Sequence, residues 1–244
     1  MISSPKLAPT AGPRLDWLDA ASVLTVGAMA AATLAVWRLG PTGRLPMHFD
    51  LAGQVDRWGD RNEMALLMGG VTLVAAGIAA YCARAERDEA VTEKLQGGGR
   101  FTFRFGRMIG LLAPAYVTLL MSLITFDLFS RTEDGQLTLL RWTLGGLSLL
   151  FLILGAFMGK ASPNPILGVR TYWSLTSRLA WDKSNRLAGR LFALLGLAGL
   201  VAAPIVFPPL GMAAMVAGVL AAAAWSAFES WRVWRADPDR RQGA

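Results

Sequence analysis

Residues 187–228 read LAGRLFALLGLAGLVAAPIVFPPLGMAAMVAGVLAAAAWSAF, two long apolar runs separated only by Phe207-Pro208-Pro209. A hydrocarbon core about 30 Å thick is crossed by roughly 20 mostly apolar residues of helix. The stretches 187–206 and 210–228 each approach that length, and the turn between them leaves almost no slack. They are therefore predicted to form an antiparallel helical hairpin in a membrane. Four further runs of the same kind lie at 17–36, 64–81, 108–126 and 139–158. Ionisable side chains are almost absent from them. Arg141 and Asp127 fall near ends, where they reach the headgroups. A soluble helix would show a polar stripe every third or fourth residue instead. The predicted fold is an all-α integral membrane protein with six transmembrane helices.

Charge orients the bundle, because cytoplasmic loops retain Lys and Arg. With the N-terminus inside, eighteen of the 24 Lys and Arg fall on inner segments, most of them within 84–107, 160–190 and 232–241. Both termini are thus predicted to be cytoplasmic, in a multi-pass membrane protein. The same distribution absorbs most of the net charge of +7. The partner it implies is the lipid bilayer, since juxtamembrane cations interact with anionic lipid at about 1 kcal/mol each; no direct nucleic-acid partner is needed. Lys6 and Arg14 precede the first run and Ala28-Met29-Ala30 resembles a cleavage site, but the run exceeds the roughly 7–15 residues of a signal peptide. It is read as a membrane span. The single Cys82 forms no internal disulfide and reads as a small buried residue near an inner helix end.

The organisation expected is two spans with an outer loop in residues 1–83, an inner linker at 84–107 rich in charge and carrying Gly97-Gly98-Gly99, a four-span region at 108–232, and a tail at 233–244. Pro114 and Pro204 lie inside apolar runs and are expected to bend them. Gly155 and Gly159, in GxxxG spacing, allow helices to approach closely.

Two loops carry the unusual chemistry. The outer one, residues 43–63, reads GRLPMHFDLAGQVDRWGDRNE. Pro46, Gly53 and Gly59 give it a shaped backbone. His48, the only histidine, stands near Asp50, Asp56, Asp60 and Glu63. Imidazole with carboxylates binds divalent metals and titrates near neutral pH. Equally, His48 and Asp56 can cap turns and pair with Arg57 or Arg61. A lone histidine without a second ligand pattern does not make a zinc site, and the Asp and Gly spacing does not fit a calcium loop. No metal or cofactor is expected.

The inner loop begins at Gly159, as GKASPNPILGVRTYWSLTSRLAWDKSNR. Asn164-Pro165 and Gly168 predict tight turns, and Arg170 offers a rigid five-donor fork. Ser174 or Thr176 is placed to cap a short helix at the membrane surface, on which Arg178, Asp182 and Arg186 recur at fourfold spacing and pair along one face. Trp181, Asn185 and Ala188 follow an adjacent face. Trp173 and Trp181 suit the membrane interface.

The run Asn164-Pro165-Ile166-Leu167-Gly168-Val169-Arg170-Thr171, followed by Trp173, Trp181 and Asn185-Arg186, resembles the signature of the SdpI family, bacterial membrane proteins named for immunity to a secreted peptide toxin. Leu45-Pro46-Met47-His48-Phe49, with Gly53, Asp56 and Trp58, is similar to an uncharacterised domain commonly found upstream in that family. Tyr172 departs from the pattern, which has proline there.

The resemblance implies binding residues in both loops: Pro46, His48, Gly53, Asp56 and Trp58 outside, with Asn164, Gly168, Arg170, Thr171, Trp173, Trp181, Asn185 and Arg186 inside; Asp50 joins the outer set as a carboxylate beside His48. It also implies protection against a secreted peptide toxin outside and a relay to a cytosolic repressor inside, with no enzymatic activity. The residues leave other classes open: a small-molecule or proton-coupled transporter using Asp127, a membrane enzyme using His48, Asp50 and Asp56, or loops that serve assembly alone.

Overall fold

The computed structural model describes residues 16–50, 54–94, 99–126, 133–164 and 167–240. The chain runs α1 (Trp17–Leu39), β1 (Leu45–Phe49), β2 (Val55–Gly59), α2 (Arg61–Arg87), α3 (Glu89–Lys94), α4 (Gly99–Thr125), α5 (Glu133–Met158), α6 (Tyr172–Thr176), α7 (Arg178–Ala202) and α8 (Pro208–Ala236). Six of these helices, all but α3 and α6, are long and apolar enough to cross a membrane, so the prediction of six helical spans holds, with β1 and β2 the one departure from helix among the described elements. Many large apolar side chains face outward, Leu24, Leu66, Leu73 and Leu220 among them. A bilayer solvates them.

Local signals set the helix starts. Asp60 accepts from the backbone N–H groups of Asn62 and Glu63 at 2.8 and 2.9 Å and begins α2. Ser177 accepts from Ala180 N at 3.0 Å and begins α7. Pro208 and Pro209 open α8, where their missing N–H groups have no intrahelical partner to lose. Pro114 lies within α4. Pro204 does not bend the fifth span as expected; α7 stops at Ala202 and Pro204 falls in the turn before α8. A residue without an N–H ends the helix here.

The helices form two groups. α1, α2 and α4 pack on one another, as do α5, α7 and α8, with α4 against α5 as the seam. At the seam the Phe105 and Phe101 rings lie 5.2 and 6.1 Å from Phe157, and the Tyr116 hydroxyl donates to Trp142 O. The third span thus packs with the first two. The stretch expected as a linker is mostly helix: α2 runs on to Arg87 and α4 already begins at Gly99, and Arg87, Arg104 and Arg107 within it pair with carboxylates. Gly97 and Gly98 lie outside the described residues, as do residues 241–244 of the expected tail.

In the second group α5 and α7 meet backbone to backbone. A Cβ on Gly155 would stand 2.8 Å from Ala193 Cα, and one on Gly189 would stand 2.8 Å from Gly155 O. Gly196 sits equally close to Leu152 and Ser148. Small residues permit this approach, and close packing holds helices together where lipid removes the hydrophobic driving force.

Candidate functional site: two motif loops at opposite ends of the bundle

The outer loop is a β-hairpin, which the reading of it as a shaped loop did not specify. β1 and β2 pair antiparallel, with Pro46 opposite Trp58 and Phe49 opposite Val55. Asp50 closes the turn: its carboxylate accepts from Gln54 N at 2.8 Å and its own N–H donates to Gln54 O at 2.9 Å. Leu45 and Met47 turn inward onto Val36, Met64, Met68, Met121 and Ile124, seating the hairpin on the ends of α1, α2 and α4. Arg61, the first residue of α2, donates to Gly40 O at the end of α1 at 3.1 Å and joins the two helices that flank the hairpin.

This packing sorts the predicted outer residues. Pro46 is buried, whereas His48, Asp50, Asp56 and Trp58 are exposed, Trp58 at 52%. His48 Nδ1 lies 2.6 Å from Asp56 Oδ1. Arg57 pairs with Glu63, and Asp60 caps α2. The carboxylates near His48 in sequence are therefore spread over separate tasks. Among the described residues no three His, Cys, Asp or Glu side chains gather as metal ligands. Gly53 lies outside the described residues.

At the other end, the inner loop is folded around its own signature. Asn164 is buried, donates to Ser162 O at 2.7 Å and to Leu167 O at 3.1 Å, and accepts from Leu167 N at 2.7 Å. Gly168 takes φ of +116°, a left-handed angle that glycine alone adopts freely. A Cβ there would also stand 2.5 Å from Asn185 Oδ1 and 3.0 Å from Trp181. Asn185 accepts from Val169 N at 2.8 Å and donates to Trp181 O at 3.0 Å. Trp181, fully buried, donates through Nε1 to Ala161 O at 2.8 Å. Thr171 caps α6 and its hydroxyl reaches Ser230 Oγ at 2.7 Å, tying the loop to α8.

Two expectations change here. Trp181 is a core anchor for the loop, because its indole N–H finds a buried carbonyl. The surface helix carrying Arg178 and Asp182 is the first part of α7 and runs unbroken into the span; the short separate helix is α6. Arg178 and Asp182 do pair, at 3.3 Å. Arg186 packs its stem on Gly159 and leaves its head exposed, and Trp173 is half-buried on α6. Arg170 is exposed and makes no hydrogen bond or ion pair among the described residues. The chain after Trp231 is held as far as Arg240: Asp237 accepts from Ser177 Oγ, and Arg240 donates to Arg235 O at 2.8 Å.

The loops lie at opposite ends of α4. Phe101 and Phe105 meet Phe157 just before the inner loop, while Met121 and Ile124 touch the hairpin cluster. That separation along the helix is about 35 Å at 1.5 Å per residue.

A polar cluster that hydropathy conceals lies at the inner-loop end. Arg107 is 4% exposed, donating through Nε to Ser22 Oγ at 2.8 Å and through a terminal nitrogen to Asp19 Oδ1 at 2.8 Å. Arg87 reaches Asp19 Oδ2 at 2.7 Å, and Arg104 bridges Asp16 at 2.6 Å and Glu86 at 3.2 Å. One carboxylate near the start of an apolar run leaves the run apolar on average. The available signal is Asp19 three residues after Asp16, with Arg104 and Arg107 repeating that spacing on α4. Asp127, the carboxylate considered for transport, lies outside the described residues.

Residues 160–228 match the SdpI/YfhL protein family, and residues 24–73 match a domain of unknown function, DUF1648. No curated protein and no solved structure matches the chain. The first match opens on the inner loop and the second contains the hairpin. This multi-pass membrane protein therefore carries the SdpI/YfhL family region behind a DUF1648 domain, in the order its two loop motifs predict.

Proposed function

We propose that this protein is an immunity protein of a bacterial cytoplasmic membrane that protects against a secreted antimicrobial peptide. The hairpin meets the peptide outside, and the loop around Arg170 relays its presence to a cytosolic regulator; no catalysis is involved. One observation carries the reading. Asn164, Gly168, Thr171, Trp181 and Asn185 are all consumed in holding the inner loop, whereas Arg170 is exposed, with its donors unused among the described residues. A guanidinium kept free by a loop this tightly built is suited to a partner's carboxylate or carbonyl. The family match supports the immunity class, and the excess of Lys and Arg on that end supports its cytoplasmic placement. Exposed His48, Asp56 and Trp58 offer a peptide an aromatic face beside a polar pair.

The test is survival of a sensitive bacterium expressing the protein, challenged with secreted peptide fractions of related strains, beside Arg170→Ala at equal membrane level. Protection lost in the variant is the expected result. Unchanged protection refutes the role of Arg170, and no protection by the native chain against any fraction refutes immunity.

A further inference from the structure

A groove of about 550 Å³ runs along the outside of the bundle between α1 and α2. Its walls are small and apolar, with Val26, Gly27, Ala76, Ala79 and Ala83 along its length, and its polar end is formed by Asp19, Arg87 and Arg107. From Ala76 to Arg87 the helix rises about 16 Å. That is close to half of a 30 Å hydrocarbon core, the depth of one leaflet. The arginines therefore stand at headgroup level, and the apolar walls descend to the membrane midplane.

Within the groove's lining two guanidiniums meet one carboxylate. Asp19 is shared by two guanidiniums, Arg107 at 2.8 Å and Arg87 at 2.7 Å. Asp16 and Glu86, close by in sequence, are engaged by Arg104. Arg107 is sealed in, but the Arg87 side chain is 45% exposed, and its bond to Asp19 is the only one it makes among the described residues. The groove thus ends on a partly solvated guanidinium with spare donors, whose planar fork matches a phosphate. We propose that this groove is a binding site for an anionic phospholipid, its phosphate taken by Arg87 and one acyl chain lying along Gly27, Ala76 and Ala79. The site is independent of the immunity reading and of the loops.

The full-length protein in lipid nanodiscs provides the test. Phosphatidylglycerol carrying a photoreactive group midway along one acyl chain is compared with the equivalent phosphatidylcholine, and cross-links are mapped by peptide mass spectrometry. Phosphatidylglycerol is expected to label the peptides containing Gly27 and Ala76 preferentially. Arg87→Gln should weaken that preference about fivefold, the loss of one arginine contact. Arg84→Gln should not, since Arg84 is exposed on the same turn but outside the groove. Gly27→Leu tests the chain slot without touching the charges: a Cβ at Gly27 meets no atom within 4 Å, so the new side chain fills the groove and the preference for phosphatidylglycerol should vanish in a normally folded protein. Equal labelling by the two lipids, an equal effect of Arg84→Gln, or a persistent preference in Gly27→Leu would overturn the assignment. So would displacement of the lipid by inorganic phosphate, which would make this a plain anion site.

Discussion

Asn185→Ala should open the inner loop without unfolding the bundle. Its carboxamide oxygen is the acceptor for Val169 N at 2.8 Å, and its nitrogen donates to Trp181 O at 3.0 Å. The second bond is cheap to lose, because Trp181 O lies within α7 and keeps the helix's own backbone donor. The first is not. Leaving a backbone N–H without a partner costs about 1–3 kcal/mol, and because Val169 is only half-buried the lower half of that range applies. A value of about 1.5 kcal/mol corresponds to a tenfold change in the opening equilibrium. Hydrogen exchange of the peptide spanning 167–171 reads this directly, with about tenfold faster exchange expected and a melting temperature lowered by only about 3–6 °C. Arg170→Ala serves as the contrast and should leave exchange as it was, since that side chain makes no hydrogen bond or ion pair among the described residues. Unaltered exchange in Asn185→Ala, or equal acceleration in Arg170→Ala, would show that the loop is not held as its hydrogen bonds indicate.

Three further outcomes follow from the packing. Gly155→Val drives a side chain into Ala193 and the Gly189 carbonyl and should destabilise the protein by roughly 1–3 kcal/mol, whereas Gly145→Ala, into open space, should be neutral or slightly stabilising; detergent unfolding curves separate the two. Arg107→Met takes one of the two guanidiniums from Asp19, leaving Arg87 in place, and should cost roughly 1.5–3 kcal/mol, with the double variant Asp19→Leu, Arg107→Met costing less than the sum of the two single variants; additive losses in an unfolding titration contradict the pairing. Ser177→Ala removes the α7 cap and the donor to Asp237, so about 1 kcal/mol of stability and faster tryptic cleavage after Arg235 and Arg240 are expected, and unchanged cleavage would separate the cap from the tail.

The six spans are legible because a membrane helix announces itself by length and composition, and the hairpin of α7 and α8 because Phe207-Pro208-Pro209 admits no other path. Position within the bundle is harder to read. Trp181 suits a headgroup belt by type, yet its buried place depends on Ala161 O, a carbonyl twenty residues upstream that no local pattern reveals. Asp19 is masked by the leucines and alanines around it, and its meaning appears only when Arg87 and Arg107 arrive from two other helices. The β-hairpin follows the same rule: Asp50 and Gln54 form its turn, but Leu45 and Met47 need the ends of three helices to pack against. Gly168 is the converse case, a turn residue whose left-handed angle is foreseeable from its neighbours.

The glycine contact between α5 and α7 also bears on permeation. Where Gly155 faces Ala193 and Gly189, and Gly196 faces Leu152, main chain lies against main chain with no side chain between them. A file of water molecules needs a polar, roomy lining, and this seam offers neither. Any solute or proton crossing the membrane through this protein would have to travel by another route, and widening the seam by mutation would sooner separate the helices than create a pore.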